Sequence, residues 1–132
     1  MFYFHRDGIA IVVEPNADLA SALCDLLIQI GYLPISAPTH AKAAEQAAAY
    51  RSIALLAATV PAPDEDRAGI YLEEAAKLNP CLAVVLMLCD TRENTDNSPK
   101  QAVCVLKPFG REVLERAILQ SEWNVRHKLV AD

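Results

Sequence analysis

Four cysteines, three histidines and a run of acids are the side chains from which this 132-residue chain could build a reactive or metal-binding site by type alone. Cys24, Cys81, Cys89 and Cys104 stand far apart with no CxxC. His5, His40 and His127 belong to separate elements without i, i+4 ligand spacing. Neither a zinc site nor a secreted disulfide framework is indicated. The thiols read as small, reduced core residues; Cys89 and Cys104 fall on neighbouring strands, where a redox pair is the alternative to inert packing. Asp64-Glu65-Asp66 reads as a solvated acidic loop, because adjacent loop carboxylates rarely converge on one ion. No metal and no cofactor is expected.

The elements that must position any site alternate in type. Ile9 to Val13 is a β-branched apolar run that fits a strand buried on both faces. Glu14-Pro15-Asn16 breaks it and Asn16 can cap a helix, in which Leu19, Leu23, Leu26, Leu27 and Ile30 recur before Gly31 stops the period. Tyr32 to Ala37 contains Pro34 and reads as an edge strand. Ala41 to Tyr50 is an alanine-rich helix with Thr39 as its cap, and Ile53 to Ala58 is a third strand, ending in a loop with Pro61 and Pro63. Asp66 to Leu78 reads as a helix stopped by Asn79-Pro80, and Leu82 to Leu88 as the most apolar strand. The stretch from Asp90 to Gln101 has no apolar period, so a loop or short irregular helix is expected. Ala102 to Leu106 is the last strand. Arg111 to about Trp123 is a closing helix with Val113, Leu114, Ala117 and Ile118 inward. Residues 1–123 form the expected domain, and 124–132 a frayed or extended tail.

Composition narrows the function classes. A mass of 14.4 kDa, 53% apolar residues and a mean hydropathy of +0.16 describe one compact domain. Twelve basic against 17 acidic residues leave a net charge of −5, which repels nucleic-acid phosphates and anionic membranes. No apolar stretch has the ~20 residues of a membrane span, and MFYFHRDG lacks the pattern of a signal peptide, so a cytoplasmic location is expected.

Five strands alternating with helices imply an α/β fold, a parallel sheet covered on both sides with right-handed crossovers. Ligands of such sheets bind at the carboxyl ends of the strands. Glu14, Pro15, Ala57, Leu88, Cys89 and Lys107 fall there. In the stretches around these strand ends the chain resembles a response-regulator receiver domain, from Ile9 to about Leu119. IVVEPN, LLAATVP with Gly69 following, LNPCLAVVLML and VLKPF carry the likeness, LKPF being the most specific. The resemblance implies a doubly wound, flavodoxin-like sheet of strand order 2-1-3-4-5. The short polar stretch before the last strand implies a fourth helix reduced or absent.

It also implies a chemistry that this chain lacks the parts for. Receivers take a phosphoryl group on an aspartate after the third strand, beside a divalent cation held by acids after the first, with a lysine on the phosphoryl oxygens. Aligned on that pattern, Ala57 replaces the aspartate, and Glu14-Pro15 replaces the acidic pair. Leu88 stands at the hydroxyl position, or Cys89 if the register slips by one, and Cys104 stands for the aromatic switch residue. Lys107 alone remains. With no phosphate to bind, it is expected to pair with Glu14 and close a vestigial pocket; the alternative leaves both in solvent. Asp90, as a substitute acceptor, would need its partner ligands rebuilt.

The expected function is therefore that of a degenerate receiver, a non-enzymatic, phosphorylation-independent signalling module that binds a protein partner or itself as a homodimer. Its contact face is the last strand and closing helix, with Cys104, Phe109, Val113 and Trp123 as candidates. Trp123 and Val125 either cover the core or belong to that face. The alternative is a flavodoxin-like protein binding a small molecule or cofactor. The turn Glu14-Pro15-Asn16-Ala17-Asp18, acidic and without glycine, is ill suited to cradling phosphate.

Overall fold

The computed structural model describes residues 8–48, 53–60, 75–77, 79, 81–90, 92 and 99–131. Its elements follow in the order β1 (Ile9–Val13), α1 (Ala17–Ile30), β2 (Leu33–Ala37), α2 (His40–Ala48), β3 (Ile53–Val60), β4 (Ala83–Leu88), β5 (Val103–Leu106) and α3 (Arg111–Ala131). The five strands form one parallel sheet of order β2-β1-β3-β4-β5. The expected α/β class and strand order are both present.

Period-two alternation divides the central strands between two cores. Ala10, Val12, Leu55, Ala57, Val85 and Met87 face α1 and α3, where Leu23, Leu27, Leu114 and Ile118 pack on them. Ile11, Val13, Leu56, Ala58, Val60 and Leu86 face the other side, with Ala43 of α2. β4 is buried at every residue, whereas β2 and β5, at the sheet edges, are largely open. Pro34 sits in β2, where a missing N–H leaves no second neighbour unpaired.

The first helix is capped as its sequence predicts. Asn16 Oδ1 accepts N–H bonds from Asp18 and Leu19 at 3.0 and 3.1 Å, and Gly31, at φ 119°, takes the left-handed conformation that ends the helix. Thr39 Oγ1 likewise accepts from the Lys42 N–H at the start of α2.

Several expectations are corrected. β3 runs two residues beyond Ala58, to Val60, because Thr59 and Val60 keep pairing with Met87 and Leu88. α3 does not stop near Trp123. It continues to Ala131 rather than fraying from Asn124, and of the two residues read as either covering the core or facing a partner, Val125 is 5% exposed and Trp123 49%. Val113 and Leu19 face outward rather than into the core. The cysteines are not core residues: Cys81, Cys89 and Cys104 are exposed, Cys24 is half-buried, and all four are free. The expected helix at Asp66 to Leu78 lies outside the described residues except for a helical turn at 75–77. The reduced fourth helix also falls mostly outside them, and the described positions there, Asp90, Arg92 and Pro99 to Gln101, lie in no helix. Tyr50 and His5 lie outside the described residues as well.

Candidate functional site

At the carboxyl ends of β1, β3 and β5 three side chains close on one another. Lys107, directly after β5, donates from Nζ to Glu14 Oε1 at 2.5 Å and to Thr59 Oγ1 at 3.1 Å. Thr59 Oγ1 donates to the same Glu14 Oε1 at 2.9 Å. The second carboxylate oxygen of Glu14 accepts the Asn16 N–H at 3.2 Å. Side-chain exposure is 4% for Glu14 and 17% for Lys107, so this is an ion pair taken largely out of water. It holds its geometry because each charge also has a hydrogen-bonding neighbour.

The sheet ladders aim these groups. Glu14 N–H donates to the Ala37 carbonyl, and Lys107 N–H to the Leu88 carbonyl at 2.7 Å, so both residues are pinned at the ends of their strands. Val13 lies opposite Ala58, which puts Thr59 beside Glu14.

The expected Glu14–Lys107 pair is therefore formed. The other candidates divide. Ala57 is fully buried in mid-strand, opposite Val12 and Val85, and does not reach the cleft; Thr59, two residues on and on the same face, does. Leu88 packs on the α2 side of the sheet, so Cys89 rather than Leu88 borders the crevice. Pro15 is exposed beside it. Sequence reasoning missed Thr59. The signal was the one hydroxyl in LLAATV, which enters the site once β3 is carried up to Val60.

Farther out, Cys104 is exposed on β5, and partial desolvation pushes its thiol pKa up. Asp90 is held below the usual carboxylate range by the Arg92 side chain and N–H, which engage both of its oxygens. Asp64, Glu65 and Asp66 lie outside the described residues.

Next to the ion pair, the Lys107-Pro108-Phe109 turn, whose first peptide bond is cis, and α1 border a half-open cavity of about 380 Å³. Its walls are chiefly apolar, with Leu23 and Leu26 on one side and Met87 and Phe109 on the other.

No family model matches the sequence, and no curated protein matches it. Solved structures do. A response regulator receiver protein from Sinorhizobium medicae superposes with a TM-score of 0.78 at 17% identity, over 91% of this chain and 98% of that one. The fold is receiver-like. A receiver domain protein from Clostridium thermocellum gives 0.68 at 18% identity, covering 93% of this chain and 98% of that one. A chain of the CheX–CheY–BeF3–Mg2+ complex from Borrelia burgdorferi gives 0.66 at 15%, covering 85% and 87%.

The receiver-like fold implies a divalent cation beside the acids that follow β1, and the residues here do not fit one. Pro15 offers no side-chain oxygen. Glu14 is engaged at both oxygens by Lys107, Thr59 and the Asn16 N–H. Among the described residues, no three His, Cys, Asp or Glu side chains are grouped to hold a metal. What the receiver-like cleft contains instead is a self-neutralised knot of carboxylate, hydroxyl and ammonium.

Proposed function

We propose that this chain is a phosphorylation-independent, receiver-like signalling module, not an enzyme, acting in the cytoplasm by protein–protein contact. The observation that carries the reading is the engagement of Lys107: the ammonium that would meet a phosphoryl oxygen is bound to Glu14 and Thr59. A phosphoryl group would have to break that pair without a metal to offset its own charge. Neither Ala57 nor Thr59 supplies a carboxylate nucleophile.

An output by contact is supported by what the last strand and closing helix leave exposed. Cys104 and Leu106 on β5, and Val113 and Trp123 on α3, are open to solvent, while Phe109 is only half-buried against the core. These side chains are the proposed partner face, for another protein or a second copy of the chain. In the Borrelia burgdorferi complex, a CheY is found with the protein CheX. Among the described residues no helix is long and apolar enough to cross a membrane.

The test is intact-mass spectrometry after incubation with acetyl phosphate and Mg2+. The protein is expected to keep its unmodified mass, and beryllofluoride with Mg2+ is expected to leave Trp123 fluorescence unchanged. A stoichiometric phosphoryl adduct would overturn the reading.

A further inference from the structure

The cavity beside the ion pair has the size and lining of a ligand site. Its volume of about 380 Å³ lies within the ~300–1,000 Å³ typical of small-molecule pockets. An apolar cavity of ~150 Å³ holds one benzene, so by proportion this one has room for roughly 15 non-hydrogen atoms. Leu19, at its mouth, is 49% exposed, an apolar side chain left in water by the fold itself. Leu23, Leu26, Met87 and Phe109 supply the walls, and the polar end is formed by Glu14 and Lys107.

That polar end selects the ligand. Glu14 and Lys107 neutralise each other, so an anion would face the Glu14 carboxylate and a cation the Lys107 ammonium. An ammonium has three N–H donors, and among the described residues Lys107 uses two of them, toward Glu14 and Thr59. One donor is left for a neutral acceptor. We propose that this cavity binds a neutral, mainly apolar small molecule that presents one carbonyl or hydroxyl oxygen to Lys107. The site stands whether or not the protein-contact reading does.

Two features allow a test on the whole chain. Ala22 lines the cavity from an exposed turn of α1, so Ala22→Trp fills the space without disturbing the core. Cys89 lines it as a free thiol, while Cys81 and Cys104 are exposed thiols elsewhere. The probe is prodan, a neutral naphthyl ketone whose emission shifts to the blue in apolar surroundings. Saturable binding of one equivalent is expected, weakened by about tenfold in Ala22→Trp with unchanged circular dichroism. Bound prodan is expected to slow N-ethylmaleimide labelling of Cys89, read by peptide mass spectrometry, in proportion to occupancy while Cys81 and Cys104 label as before. Anilinonaphthalene sulfonate, also a naphthyl probe but anionic, is expected to bind more weakly. Non-saturable prodan binding, an Ala22→Trp affinity equal to wild type, or Cys89 labelling indifferent to prodan would overturn the site. Tighter binding of the sulfonate would overturn its neutral class.

Discussion

Lys107 and Glu14 depend on each other because each would be left charged and largely dry without its partner. Glu14→Gln or Lys107→Met alone is expected to cost about 3–5 kcal/mol, the range for orphaning one member of a buried pair. The double variant is expected to lose less than the sum of the two, since it removes both charges together. Urea unfolding of the four proteins measures this; additive losses would mean that the pair carries no coupling. Thr59→Val removes a hydroxyl that bonds both charges and is expected to cost about 1–3 kcal/mol in the same assay. The pair was legible in the sequence because VLKPF and VVEPN mark strand ends, but Thr59 was not, since an apolar run with one hydroxyl gives no sign of where its strand ends. Burial was misread at the cysteines for a related reason: residue type favours the interior, but Cys104 lies on an edge strand. Its raised thiol pKa means less thiolate at neutral pH. Iodoacetamide should therefore modify Cys104 with a rate midpoint above the ordinary thiol value, measured peptide by peptide across pH.

At the scale of elements, α3 does more than close the domain. Ser121, fully buried, accepts the Val84 N–H at 2.8 Å and donates to the Gln101 carbonyl at 2.7 Å, so one hydroxyl ties the helix to the beginning of β4 and the approach to β5. Gln101 adds a bond from Nε2 to the Leu82 carbonyl. Ser121→Ala leaves a buried N–H and a buried carbonyl without that partner and is expected to destabilise by about 1–3 kcal/mol. One turn on, Val125 is packed away from solvent. Ending the chain after Trp123 removes it and is expected to cost about 1.5–3 kcal/mol, the value of burying such a side chain. Thermal unfolding of both variants tests this, and an unchanged melting midpoint in the truncated chain would make the last turns of α3 an ornament. The helix start was legible from Arg111 and the apolar spacing of Leu114, Ala117 and Ile118. Its end was not, because the inward positions pass to a polar Ser121 and a lone Val125 while polar residues fill the turns between them.

Across the whole molecule, the register of β3 against β1 decides which residue the cleft presents. Ala57 is enclosed by Val12 and Val85 on the core face, so Ala57→Asp buries a carboxylate among apolar side chains. That change is expected to cost about 4 kcal/mol or more and to yield no phosphoryl acceptor. Thr59→Asp places its carboxylate at the strand end, within reach of Lys107, but beside Glu14 it adds like charge to a site that lacks a metal ligand at Pro15. Only Pro15→Asp together with Thr59→Asp supplies enough oxygen and enough negative charge to favour a divalent cation over the existing Lys107 contacts. Binding to the folded state alone raises stability with ligand concentration, so the melting midpoint of the double variant should rise with added Mg2+, whereas wild type and Ala57→Asp should not respond. A Mg2+-dependent rise in Thr59→Asp alone would show that Pro15 is no obstacle. The same rise in Ala57→Asp would place the acceptor position at 57, against the register that brings Thr59 to Glu14 and Lys107.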